Sequence, residues 1–198
     1  SFQSHDRSQP PVGSMMCLEI YRLHPESWFL ETVYGDLLTW NRWWMENRIT
    51  DGLLCWGSNA YEPVVGNTWE TNGVHDRFGA ALESGLDNSP MYDDIPFDKS
   101  TNQLMLQDAG LTGLYIGDCD ALAKIATILG KDADAAELQQ RADTLRQECQ
   151  RLWDEDLGLF LNRRTDTGAF SKRISPTNFY PLIGRVATQA QAERMVSE

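Results

Sequence analysis

Leu138, Ala142, Leu145, Cys149 and Leu152 recur at spacings of four, three, four and three, which puts all five on one face of an α-helix. Such a stripe has to be covered by a neighbouring element, and a second helix is the natural partner. The same rhythm runs through most of the chain. From Glu26 to about Asn47, the residues Phe29, Val33, Leu37, Leu38, Trp40, Trp44 and Met45 predict a long amphipathic helix whose aromatic end lies in the core. Leu111, Leu114, Tyr115, Leu122, Ile125, Ala126 and Leu129 predict another, stopped by Gly130. Pro10 and Pro11 suit the first turn of a helix reaching about Leu23, and Pro25 restarts the chain. A short helix is expected from His75 to about Glu83, and helix again from Asn178, with Ala187, Ala190 and Met195 apolar. Only Gly158 to Phe160 and Gly168 to Phe170 suggest a brief hairpin.

Long loops separate these helices. Thr50 to Asn72 carries Gly52, Gly57, Pro63, Gly66 and several asparagines, and a second loop runs to about Gln103. Long ordered loops in compact domains tend to carry function. The fold class is mainly α, built of helical hairpins, and from the residues alone an ordinary bundle competes with a toroid. A chain of 198 residues is one domain or a large part of one. It opens without methionine and stops at Arg194-Met195-Val196-Ser197-Glu198 inside a helical pattern, so it reads as a piece of a longer enzyme.

Charge and composition remove several classes of partner. A formal net charge of −12 argues against nucleic acid and anionic membranes, since the longest basic run is Arg163-Arg164. No apolar run is long enough to span a bilayer, and no signal segment is visible. Cys17, Cys55, Cys119 and Cys149 are isolated, with His5, His24 and His75 the only histidines, so no metal and no other cofactor is expected. Asp93, Asp94 and Asp98 lack the regular spacing of a calcium loop. Reduced, buried thiols favour a reducing, cytoplasmic compartment.

The stretch Glu83-Ser84-Gly85-Leu86-Asp87-Asn88-Ser89-Pro90-Met91-Tyr92-Asp93-Asp94 is a carboxylate-rich turn directly after a short helix. Gly85 permits a tight turn and Pro90 prevents helix from continuing, so Asp87 is presented on a bend. An aspartate there is also a common capping or Asx-turn residue. The full string resembles the signature of glycoside hydrolase family 63, the α-glucosidase and mannosylglycerate hydrolase group. More distantly, it resembles the family 37 trehalases. Arg7-Ser8-Gln9-Pro10-Pro11 and Asn178-Phe179-Tyr180-Pro181-Leu182 fit the same family in the expected order. The resemblance implies an (α/α)6 toroid of helical hairpins, of which residues 1–198 supply only part. It also implies an inverting hydrolase with Asp87 as general acid and a glutamate base in a later motif that this sequence does not contain. The remainder of the catalytic domain is therefore an expected partner.

Glycosidic hydrolysis needs a protonated carboxylic acid at the leaving oxygen and a second carboxylate beyond it. A free aspartate titrates near ~3.9, so Asp87 would need partial burial or a nearby negative charge, and Glu83, Asp93 and Asp94 are the local candidates. Each of the three is also an ordinary surface carboxylate pattern. Trp56 is placed under a sugar ring, with Gly57 opening space and Asn59 bonding hydroxyls; a core loop anchor is the alternative. Trp69 is a weaker version of the same idea. Arg7, Gln9, Asn88 and Asn178 complete the candidate substrate-binding set, and Asn178 doubles as a candidate helix cap. The expected substrate is an α-glucoside or α-mannoside. A non-catalytic carbohydrate-binding or scaffold domain is the rival, and a lyase or epimerase on a similar toroid the third reading.

Overall fold

The structure, a computed structural model, describes residues 7–59 and 74–197. Helices α1 (Gly13–Leu23) and α2 (Ser27–Asn47) form one antiparallel hairpin across His24-Pro25-Glu26. Helices α4 (Ala109–Ile128) and α5 (Asp132–Cys149) form another. Between them lies α3 (Arg77–Glu83), and α6 (Gln189–Ser197) ends the described chain. Gly130 adopts φ +68 at the α4 terminus, where Lys131 N–H bonds the Ala126 carbonyl at 2.8 Å. This is the helix stop that the sequence places there.

Helix α4 is the axis of the assembly. It is apolar on most sides and buried along nearly its whole length, and α1, α2 and α5 all pack on it. The predicted stripe of α5 is fully inside, with Leu138, Ala142 and Cys149 at 0% exposure and Leu145 at 2%. One polar group staples three helices. Asp118 of α4 accepts from Ser14 N–H and Oγ of α1 at 2.8 and 3.0 Å, and from Asn41 Nδ2 of α2 at 3.0 Å. The Asn41 carboxamide oxygen in turn accepts from Arg141 of α5 at 2.7 Å. Burial raises the Asp118 carboxyl above the ordinary aspartate range. All four thiols are free, and burial pushes Cys55, Cys119 and Cys149 up to about 12.

Several sequence expectations are corrected. The loop after α2 begins with two short strands, β1 (Ile49–Thr50) and β2 (Leu53–Leu54), closed by Asp51 and Gly52 at positive φ. Strands β3 (Phe97–Asp98) and β4 (Gln103–Leu104) pair next, so the second loop is a hairpin in part. The expected pairing of Gly158 to Phe160 with Gly168 to Phe170 does not form; Phe170 bridges Arg163 instead. Strand β6 (Trp153–Asp154) pairs with β7 (Leu159–Phe160), while β8 (Arg163–Arg164) pairs with β5 (Leu106–Gln107) far back in sequence. Local turn residues do not reveal such a long-range partner. Finally, Pro176–Leu182 is a 3₁₀ segment, not the start of an α-helix. Pro181 has no N–H to continue an α ladder, which keeps the segment short.

The buried α5 stripe carries a direct test. Leu145→Ala should lower unfolding free energy by about 2–5 kcal/mol in urea titration. The exposed Gln139→Ala should change it by less than about 0.5 kcal/mol. Equal effects would remove the stripe from the core.

Candidate functional site

The site is assembled around Glu83, the last residue of α3. Its carboxylate is fully buried and takes Arg48 side-on, with Nε at 2.7 Å from Oε2 and Nη2 at 2.8 Å from Oε1. Gly57 N–H donates to Oε2 at 2.7 Å and Ser8 N–H to Oε1 at 2.7 Å. Four donors thus satisfy the carboxylate, and the paired guanidinium lies 4.7 Å from the Trp43 ring centroid. Glu83 was expected as a surface group or as a charge acting on Asp87. It is instead a buried, neutralised hub that ties the end of α2, the Trp56 loop and the N-terminal segment to the turn that follows it.

That turn stands where the helix stop puts it. Gly85 sits at φ +70, a backbone state costly for any side chain. Asp87 follows in a turn, exposed to solvent, as does Asn88. The Ser89 hydroxyl caps the 3₁₀ turn Pro90–Tyr92. Beyond it Arg173 clamps the segment, donating to the Pro90 carbonyl at 2.7 Å and meeting Asp94 at 3.0 Å and Asp93 at 3.9 Å. Asp93 and Asp94 are therefore spent on an arginine.

A cavity of about 400 Å³ opens beside this turn. Its walls are Trp56 on one side, Ser84, Gly85, Leu86 and Tyr92 on the next, Asp108, Gly110, Leu111 and Leu114 from the start of α4, and Thr177 and Tyr180 from the 3₁₀ segment, with Pro10 and Val12 at the N-terminal flank. Trp56 is the one predicted site residue in this wall; Asp87 and Asn178 are next in sequence to its Leu86 and Thr177 and do not line it. Trp56 is 3% exposed, meets Trp44 edge-on at 5.8 Å, and donates its indole N–H to Asp108 Oδ2 at 3.0 Å. Its strand-like backbone lies against residues 102–104, through Leu104 N–H to the Trp56 carbonyl at 2.8 Å. The space beside Gly57 is filled rather than open, because a Cβ there would lie 2.5 Å from the Asn102 carbonyl oxygen and 2.7 Å from Arg48 Cζ.

The remaining candidates occupy mixed positions. Asn59 accepts from Arg48 Nη1 at 2.7 Å. Arg7 is half-buried, and Gln9 is exposed with its amide on the Ser8 carbonyl at 3.0 Å. Asn178 is buried, with Oδ1 taking Ser175 N–H at 2.8 Å and Nδ2 donating to the Phe160 carbonyl at 2.6 Å. Its amide builds the capping box, while its neighbours Thr177 and Tyr180 face the cavity. Trp69 lies outside the described residues.

Sequence reasoning passed over Asp108. Its only local signal is that of a helix N-cap, an aspartate just before the apolar run of α4. Burial raises its carboxyl, and burial, then the Asp108 charge, raises the Tyr92 phenol well above its usual value.

The hub gives a stability test. Glu83→Ala leaves Arg48 buried and uncompensated, so it should cost about 3–5 kcal/mol by denaturant unfolding. Asp93→Ala, on an exposed 3.9 Å pair, should cost less than about 1 kcal/mol. Similar losses for the two would contradict the hub.

Comparison with known proteins agrees with this geometry. Residues 2–198 match the model of the mannosylglycerate hydrolase MGH1-like glycoside hydrolase domain. A mannosylglycerate hydrolase of Rubrobacter radiotolerans is 27% identical over 128 residues, covering 63% of this chain and 27% of that protein. Among solved structures, the GH63 mannosylglycerate hydrolase of Thermus thermophilus in complex with glucose superposes with TM-score 0.74 at 18% identity, covering 97% of this chain and 51% of that one. The neutral trehalase Nth1 of Saccharomyces cerevisiae gives 0.73 at 17% identity, covering 96% and 43%. The chain spans about half the length of the structures it matches, or less, and its helical hairpins form part of an (α/α)6 toroid. With a family match over nearly its whole length, the chain belongs to the MGH1-like glycoside hydrolases of family 63.

Proposed function

We propose that residues 1–198 are the part of an inverting glycoside hydrolase that carries the general acid, Asp87, and one wall of the sugar site. The substrates are small α-glucosides or α-mannosides, or short oligosaccharides. The observation that carries this reading is the convergence of the Asp87 turn, the Trp56 loop and the 3₁₀ segment on one cavity lined by aromatics, hydroxyls and a single described carboxylate. Sugars are bound by such mixtures of apolar faces and a few placed polar groups.

Asp87 stands on a turn whose base is anchored by the Glu83 and Arg48 pair, so the backbone that presents it is rigid while its carboxyl is open to solvent. This suits a group that protonates a leaving oxygen and is reprotonated from water. The cavity carboxylate, Asp108, is a poor base, because Oδ1 is taken by Leu111 N–H at 2.8 Å and Oδ2 by Trp56, Tyr92 and Asn162. Four donors already bind this buried carboxylate, which leaves it poorly placed to hold and activate a nucleophilic water. The base accordingly comes from outside residues 1–198, from the remainder of the catalytic domain, at roughly 6.5–9.5 Å from Asp87 as inversion requires.

In the complete enzyme, Asp87→Asn should lower kcat on an alkyl glycoside by about 10²–10⁴ without altering the far-ultraviolet spectrum. An aryl glycoside whose leaving group needs little protonation should recover part of that rate. Equal losses on both substrates would reject Asp87 as the acid. Proton NMR of the first sugar released should show the anomer opposite to the substrate; retention would reject inversion.

A further inference from the structure

The geometry points to Asp108 as a positioning residue for carbohydrate, whose Oδ2 sets the orientation of Trp56 and Tyr92 in the cavity wall. The inference rests on the reading of that cavity as the sugar site. The two carboxylate oxygens divide their work. Oδ1 accepts Leu111 N–H at 2.8 Å and so caps α4, a task any capping residue performs. Oδ2 faces the other way, accepting from Trp56 Nε1 at 3.0 Å, Tyr92 Oη at 3.2 Å and Asn162 Nδ2 at 3.4 Å. A cap alone would need only the first oxygen.

Asp108 is itself held in place. Its N–H bonds the Leu54 carbonyl at 2.8 Å, and the Asn162 carboxamide oxygen takes Ala109 N–H at 2.9 Å. Trp56 and Tyr92 come from separate segments, and both are almost wholly buried, at 3% and 1% exposure. Packing on Trp44 fixes where the indole lies. The N–H bond to Oδ2 fixes its rotation in its own plane, so the edge and face offered to the cavity are set by Asp108. The phenol, with its proton committed to Oδ2, is held in the cavity wall beside Ser84. A wall built this way meets substrate and transition state alike, so its loss falls mainly on KM.

Asp108→Ser separates the two oxygens, since serine still caps the helix but leaves both aromatic donors without an acceptor. In the complete enzyme it should still fold, with the melting temperature lowered by several degrees because two buried donors lose their acceptor. It should raise KM for an aryl α-glycoside about ten-fold or more, with kcat within about three-fold. Tyr92→Phe removes only the phenol hydroxyl; it should raise KM in the parent and add little on the Asp108→Ser background, as coupled groups do. Calorimetric titration with methyl α-D-glucoside and methyl α-D-mannoside should show the same weakening. A lowered melting temperature with unchanged KM would leave Asp108 a helix cap and overturn the proposal. A collapse of kcat at constant KM would make it part of the chemistry and overturn it too. If Asp108→Ser does not fold, Tyr92→Phe decides, and unchanged KM overturns the proposal. Unaltered sugar binding in Asp108→Ser rejects Asp108 alone. If the parent binds neither sugar, the cavity reading falls and the proposal with it. Full activity of Asp87→Asn rejects only the acid assignment.

Discussion

The Arg48 and Glu83 pair is the interaction on which the site depends. Removing two charges from water is costly, and only a geometry with every lone pair occupied offsets that cost. Here Arg48 bonds both carboxylate oxygens, and Ser8 and Gly57 supply the two further N–H groups. Both backbone donors belong to segments without long regular structure. The pair therefore fixes three pieces of chain relative to one another: the end of α2, the Trp56 loop and the segment before α1. Asp87 is four residues from this hub. The proposed acid is thus an exposed carboxyl on a short turn next to this hub.

The second organising element is α4. Its N-terminus opens at the cavity, and its buried body is surrounded by α1, α2, α5 and the 3₁₀ segment. Asp118 and Asn41 link α1, α2 and α5 to that body through hydrogen bonds of 2.7–3.0 Å that are buried or part-buried. Polar groups placed so centrally specify one arrangement of helices, since any other leaves them unsatisfied. Asp108, one helical end away, repeats the device at the cavity: a single buried carboxylate collects donors from three segments distant in sequence. The same chemistry thus serves the architecture at one end of α4 and the site at the other.

Exposed apolar side chains mark where the described fold is open. Met16, Ile20 and Leu23 lie along one side of α1, and Phe179 and Ile183 lie on and beside the 3₁₀ segment. Positions 16, 20 and 23 share a helical face, the pattern of a surface that packs against another helix. The structures that match this chain are about twice its length.

The helices were legible from the sequence because an amphipathic stripe is a local pattern. The α5 stripe, the extent of α2, the Gly130 stop and the turn at Asp87 all depend on residues within a few positions of one another. So did the family resemblance, carried by contiguous strings. The strand partner of Arg163, the interior place of Asn178 against Phe160 and the burial of Glu83 were not legible, because each is decided by a partner distant in sequence. Glu83 reads locally as one more carboxylate in an acidic stretch, and only the arrival of Arg48, 35 residues earlier, makes it an interior group. Asp108 reads as a helix cap, which it is; its second oxygen finds Trp56, 52 residues earlier, only when the chain folds. Sequence alone determined where the long helices α2, α4 and α5 run, since that is settled by periodicity and backbone preference. The tertiary structure decided which charged and polar side chains became interior, because burial is a property of neighbours and not of residues.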